Sequence, residues 1–251
     1  MELGNGKIPI DVLTGLISFP ANCEFTSSKE ELITKVFPSI EVSYNNLDWM
    51  SERAILAARN KDVDSLNFTI QSKIAEVLRS YKSVDSTTDE NEAATYPTEF
   101  LNSLVVPGTL PHNLQLNVRS IIIMLRNLNP SKLAMGNFKG EEVLIPRIPI
   151  IPTDLPFHFK RIQFSVRLAF AMTINKSQGQ SLEVCGINLE FSCFLHGQLY
   201  VASSRVGEPF SLFIFAPENK KKNNVYQNAP QFISVTIYIH GILEVCILLS
   251  L

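Results

Sequence analysis

The sequence predicts an α/β fold built on a parallel sheet with helices on both faces. Three observations point there. Short apolar runs (Ala54–Ala58, Val184–Leu189, Phe210–Phe215) alternate with helical periodicity, in which Val63, Leu66, Ile70, Ile74 and Val77 recur at spacings of three and four. The apolar run from Val166 to Met172 stops at a polar cluster of Thr173, Asn175, Lys176, Ser177, Gln178 and Gly179. A buried strand looks like this when it delivers polar groups to the carboxyl edge of a parallel sheet, where ligands bind. Finally, 251 residues that are 45% hydrophobic and 18% charged suit a globular chain with one or two cores.

The formal charge of −2 argues against a uniformly basic nucleic-acid binder, yet the charge is uneven. Residues 1–125 carry net −6 and residues 126–251 net +4, so a polyanion should prefer the second half. Cys23, Cys185, Cys193 and Cys246 form no C-x-x-C pair, which argues against zinc and against a disulfide framework, and fits reduced intracellular thiols. The N-terminus shows no basic-then-apolar signal peptide.

Taken in order, residues 1–50 mix short apolar pieces with turn formers, and Ser28 followed by Glu31 predicts a capped helix over 28–37. Ala54–Ala58 predicts a buried strand, followed by Arg59 and then the periodic helix with Asp62 in its first turn. Residues 83–94, rich in Ser, Thr, Asp and Glu, read as a solvated linker. Pro107-Gly108 marks a turn, and Leu114 to Leu125 suggests strands. The proline-rich stretch from Val143 to Phe164 reads as extended connection. A strand over 184–189, a helix over 196–204 and a strand over 210–215 complete the pattern. His112 and His158 lack a second ligand at usable spacing, and His196 reads as structural, so no metal site is expected.

On spacing alone, residues 173–179 are better read as an ordinary strand-to-helix turn, Lys176 as a solvated charge and Arg59 equally well as a surface residue. A resemblance changes those readings. Ala169 to Ser181 resembles motif V of superfamily 1B DNA helicases, in the form found in the Pif (petite integration frequency) family and its Helitron-transposon relatives. Gly197 to Arg205 resembles motif VI, and Ile55 to Asn67 resembles motif IV with Ala58 where the family more often has Pro. Residues from about 96 resemble the start of the family's inserted 2B domain, a small β-barrel. Arg119 stands where relatives usually have Gly, a costly choice if the turn needs positive φ. Leu133 to Phe138 joins sequences that relatives separate by about two strands, which would leave the barrel short. The resemblance is strongest over 145–215 and recognisable over 28–226.

The fold so implied is a RecA-like (P-loop NTPase-type) second helicase lobe interrupted by a truncated 2B-type insertion. Its expected divisions are 1–82 and 161–226 for the lobe, 83–95 for a linker, 96–160 for the insertion and 227–251 for an apolar tail. By the resemblance, Arg205 is the arginine finger and Arg59 a second phosphate sensor. Gln178 and Gly179 reach the nucleotide, while Thr173, Asn175, Lys176 and Ser177 hold single-stranded DNA. ATP, Mg2+, a nuclear location and 5′-to-3′ unwinding in repair, recombination, telomere maintenance or transposition are further implications. No G-x-x-x-x-G-K-[ST] sequence occurs, and Asp89-Glu90 does not follow an apolar strand. The chain is therefore expected to depend on a first RecA-like lobe, since an arginine finger needs a nucleotide held by a phosphate loop. A non-catalytic module for single-stranded nucleic acid and a decayed transposon fragment remain as alternative readings. The stretch Phe232 to Leu251 has the length of a tail anchor, but Glu244 near its middle would cost roughly 2.5–3.5 kcal/mol, which argues against membrane insertion.

Overall fold

The computed structural model describes residues 17–18, 24–89, 92, 94–125, 144–193, 197–217 and 220–221. In chain order these form β1 (Ile17–Ser18), β2 (Glu24–Thr26), α1 (Lys29–Val36), α2 (Ile40–Ser43), α3 (Leu47–Ser51), β3 (Arg53–Ala57) and α4 (Asn60–Gln71). Then come β4 (Leu78–Lys82), β5 (Val84–Thr87), α5 (Thr98–Ser103), β6 (Asn113–Asn117), β7 (Ile122–Met124), β8 (Arg147–Ile150), β9 (Phe159–Phe164) and β10 (Val166–Leu168). The last elements are β11 (Ala171–Thr173), a 3-10 turn (Ile174–Ser177), β12 (Val184–Asn188), α6 (Gln198–Ser203), a 3-10 turn (Pro209–Ser211), β13 (Leu212–Phe215) and β14 (Lys220–Lys221). The chain divides into two compact units, one of described residues up to Ala75 and from Ala169 onward, the other Glu76–Leu168.

The first unit is built on a five-stranded sheet in the order β11-β3-β12-β13-β2, parallel throughout. Thr173, Ala57, Asn188, Phe215 and Thr26 stand in register, so all five strands end on one rim. Both faces are covered, as expected. Ala54, Leu56, Cys185 and Ile187 pack with Leu199 and Ala202 of α6. Gly186 faces α1 so closely that an added Cβ would lie 2.7 Å from Val36 Cγ2. α1 starts where its cap predicts: Ser28 Oγ accepts from the Glu31 N–H. The Glu31 carboxylate reaches one residue further back, accepting from the N–H and hydroxyl of Ser27.

Strand β11 is an edge strand, and its outward-facing backbone is occupied by a side chain. Asn67 of α4 donates to the Ala171 carbonyl (2.9 Å) and accepts from the Ala171 N–H (2.8 Å). On the other side of the strand, the Phe170 carbonyl accepts from Ile55 N–H.

Four expectations need correction. The run over 166–172 is two strands, not one. β10 pairs antiparallel with β7 in the second unit, and β11 joins the parallel sheet after Ala169-Phe170. Hydropathy alone is continuous across that break because Ala169 and Phe170 are themselves buried. The periodic helix ends at Gln71, and Val77 is exposed. Residues expected to form a linker contain β5, which pairs with β9. The proline-rich connection contributes β8 and β9, with Pro149 on the edge strand of the order β5-β9-β8.

The second unit also carries the antiparallel pairs β4–β6 and β7–β10. It runs from Glu76 to Leu168, a span that the expected divisions split among the end of the lobe (to 82), a linker (83–95), the insertion (96–160) and the resumed lobe (from 161). Arg119 adopts φ +67, the left-handed conformation expected of glycine there. The junction at Leu133 to Phe138, His196, the tail from Phe232, Cys23 and Cys246 lie outside the described residues. Among the described residues, no helix is long and apolar enough to cross a membrane.

Candidate functional site

The polar cluster begins where β11 reaches the common rim. Ile174 and Ser177 are buried and anchor a single 3-10 turn, which holds Asn175 and Lys176 outward beside half-buried Thr173. The expected α-helix is absent here, and so are the free N–H donors of a longer helix's first turn. The Ser177 side chain is not presented with the others, since its hydroxyl donates to the Ile174 carbonyl at 2.7 Å. Gln178 and Gly179 are exposed. Gly179 takes φ +86, a value that favours glycine, as the chain turns back along the sheet towards the start of β12.

Arg205 meets that returning loop. α6 runs back from the carboxyl side, where Gln198 Nε2 lies 3.4 Å from Asn175 Oδ1. At its far end the Arg205 guanidinium donates through Nη1 to the carbonyls of Ser177 and Gln180, both at 3.0 Å. Nε donates to the Val201 carbonyl (2.8 Å) and Nη2 to Ser204 Oγ (2.8 Å). Four of the five guanidinium donors are thus used, and one fork binds the two segments resembling motifs V and VI together.

Arg59 stands elsewhere. It follows the carboxyl end of β3 at the N-cap of α4, its guanidinium 3.9 Å from the centroid of the Phe191 ring. Arg205 lies at the opposite rim. Its carbonyl accepts from Leu182 N–H, and Val206 bridges Leu182, two residues before Val184, which pairs with Arg53 at the start of β3. The length of β3, roughly 13 Å at 3.3 Å per residue, separates the two positions. The structure therefore brings Arg205 together with the loop around Gly179 and leaves Arg59 apart from Arg205, at the rim where β11 and β3 end.

Beside Arg59, Lys29 pairs with Glu190 at 2.7 Å. Burial pushes the Asp62 carboxyl up, helped by the negative Glu190, while Arg59, Lys29 and Lys61 act the other way. Sequence reasoning missed Phe191 and Lys29. The only signal was their place just after the ends of β12 and β2.

The second unit brings His158 to Asp89 and Glu92, ligand atoms of all three lying within 4.8 Å of one another, although 66 residues separate Glu92 from His158. Spacing along the chain could not show this. Glu92 already accepts the His158 backbone N–H at 3.0 Å, and the group lies at the surface. His112 Nδ1 is 2.8 Å from Ser83 Oγ, in a buried polar network.

A family model described as "DNA helicase Pif1, 2B domain" matches residues 99–136. The ATP-dependent DNA helicase Pif1 of Campylobacter jejuni is 27% identical over 218 residues, covering 74% of this chain and 47% of that protein. The ATP-dependent DNA helicase PIF6 of Trypanosoma brucei brucei is 34% identical over 79 residues, 31% of this chain and 10% of that protein. The chain thus spans about half the length of the first relative and a tenth of the second. Among solved structures, Pif1 helicase from Candida albicans aligns with a TM-score of 0.49 at 19% identity, over 74% of this chain and 53% of that one. A Bacteroides Pif1 in complex with ADP-AlF3 and ssDNA aligns with a TM-score of 0.45 at 20% identity, over 74% and 44%. The family-model match and the curated relatives point the same way: over the matched stretches the chain is similar to Pif1-family DNA helicases, with residues 99–136 matching their 2B domain.

Proposed function

We propose that this chain serves as the second RecA-like lobe of an ATP-dependent DNA helicase. It holds single-stranded DNA at Thr173, Asn175 and Lys176 and turns Arg205 towards a nucleotide bound by a first lobe. The observation that carries this reading is the Arg205 fork on the carbonyls of Ser177 and Gln180. A residue that exchanges those carbonyls for phosphate oxygens frees the loop whose other end presents Lys176. Such an exchange is favourable because hydrogen bonds between two charged groups are the stronger kind. Nucleotide state and grip on the strand are then coupled through one side chain. Gln178 and Gly179, between the two ends, transmit the change.

ATP supplies the phosphoryl group whose transfer drives stepping. The sequence offers no G-x-x-x-x-G-K-[ST] loop to cradle it, so this chain contributes one wall of the cleft, and Mg2+ is held by the first lobe. By the family, the setting is 5′-to-3′ unwinding in repair, recombination, telomere maintenance or Helitron transposition, in the nucleus.

The test is filter binding of single-stranded DNA across a salt series, together with ATP turnover. The expected result is salt-sensitive binding weakened by Lys176→Ala, no turnover by the chain alone, and Arg205-dependent turnover once a first lobe is supplied. Absence of binding at low salt overturns the DNA assignment. Arg205-dependent hydrolysis by the chain alone overturns the dependence on a partner lobe. A non-catalytic strand-binding module is the second reading, favoured by the saturation of Arg205 with internal partners. It expects binding with no Arg205-dependent turnover under either condition.

A further inference from the structure

Arg59 and Phe191 stand exposed at the rim where the DNA-facing cluster sits, and neither is accounted for by the nucleotide cleft. β11, β3 and β12 are adjacent, and Thr173, Ala57 and Asn188 are in register. At the usual strand spacing, the ends of β11 and β12 lie about 10 Å apart. That span matches about three nucleotides at a stacked rise of roughly 3.4 Å. A strand gripped at Asn175 and Lys176 and running along the rim next meets Arg59, which follows β3, and then Phe191, which follows β12.

The chemistry there suits a base better than a phosphate. Arg59 lies over the Phe191 ring at 3.9 Å from its centroid, and both side chains are exposed. A planar cation over an aromatic face extends the stacking surface and leaves the guanidinium edges free to bond. Bases of every kind stack on aromatic rings and on guanidinium planes. The neighbouring charges are largely matched: Glu190 is paired with Lys29, Asp62 lies near Arg59 and Lys61, and Lys176 lies along the same rim.

We propose that Phe191, braced by Arg59, is a stacking platform for a nucleobase of the single strand held at Thr173–Lys176. This rests on the DNA-holding role proposed above and reassigns Arg59 from the nucleotide to the strand. It also makes the platform insensitive to base identity, as a translocating lobe requires.

The experiment is fluorescence-anisotropy titration of the full chain with labelled oligothymidine across a salt series. It is paired with an oligonucleotide carrying 2-aminopurine, whose emission is quenched on stacking. Phe191→Leu keeps apolar bulk without an aromatic face, and should weaken binding about tenfold with the salt slope unchanged and the quenching lost. Phe191→Tyr should restore both. Lys176→Ala should instead reduce the salt slope by about one. Wild-type affinity and quenching in Phe191→Leu overturn the platform. So does a loss in Phe191→Leu confined to association with a supplied first lobe, which would make the pair a protein contact. No binding by the wild-type chain at low salt defeats the underlying DNA reading, whereas binding that responds to Lys176 and ignores Phe191 defeats only the platform.

Discussion

Asp85 and Arg161 form a bidentate ion pair with both side chains sealed from solvent, and the second unit is arranged around it. Arg161 Nε lies 3.0 and 3.1 Å from the two carboxylate oxygens, and Nη2 lies 2.6 Å from Oδ2. The remaining donors reach the carbonyls of Leu101, Leu104 and Leu110, and Ser83 Oγ donates to Asp85. One side chain thereby ties β9 to β5, to α5 and to the segment before β6.

Removing one partner strands a buried charge. Asp85→Ala should cost about 3–5 kcal/mol. Replacing both residues by apolar ones of similar size (Asp85→Leu with Arg161→Met) should cost less than the single change. Urea unfolding, with hydrogen exchange followed at the amides of β5 and β9, checks both.

The same pair explains why β5 was illegible in the sequence. Ser83 to Thr87 has the composition of a solvated linker, and nothing local announces that Asp85 meets a residue 76 positions away. β3 was legible because burial on both faces leaves an unbroken apolar run, β13 because all four of its residues are apolar, and α1 because its cap is a local signal. The division inside 166–172 was not, since Phe170 is as buried as the strands it separates. At the candidate site, the resemblance picked out Arg205 and the 173–179 cluster, but which of those side chains face outward is decided by one turn of 3-10 geometry. The partnership of Arg59 with Phe191 depends on β3 and β12 being neighbours, which is a property of topology alone.

Arg119 occupies a left-handed conformation at the turn between β6 and β7. A side chain there costs about 1–2 kcal/mol, part of which glycine gives back through the entropy of the unfolded chain. Arg119→Gly should therefore stabilise the second unit by up to about 1 kcal/mol, seen as a higher urea midpoint at unchanged slope.

Burial pushes the Cys185 thiol up to about 12, against a weaker opposing pull from Arg205, and the Cys193 thiol up to about 11. Both folded values lie above the ordinary 9.0, so their contribution to stability is complete below pH 9. It is lost as pH rises through that value towards 11 and 12, at about 1.4 kcal/mol per pH unit for each thiol. Denaturation between pH 8 and 10.5 should show this decline, and Cys185→Val should lessen it. Mass-resolved alkylation at pH 8 should leave both thiols unmodified until the chain unfolds.

Arg205→Ala removes the donors that close the loop from Ser177 to Gln180. Hydrogen bonds to a charged group contribute about 1.5–3 kcal/mol when buried, and the half-exposed site places the loss at the lower end. Exchange at the Gln180 amide, which donates to the Ser177 carbonyl, should speed up by tenfold or more. Arg205→Lys should rescue this only partly, because an ammonium cannot span both carbonyls in a planar fork.

The amide of Asn67 takes the place that a sixth strand would have beside Ala171. An uncovered ladder at that flank would invite strands from other copies to add on, the route by which open sheets polymerise. One asparagine, offering a donor and an acceptor at the spacing of a peptide group, closes the flank with no partner chain required. Self-association through β11 is thus blocked by a side chain that its own helix carries.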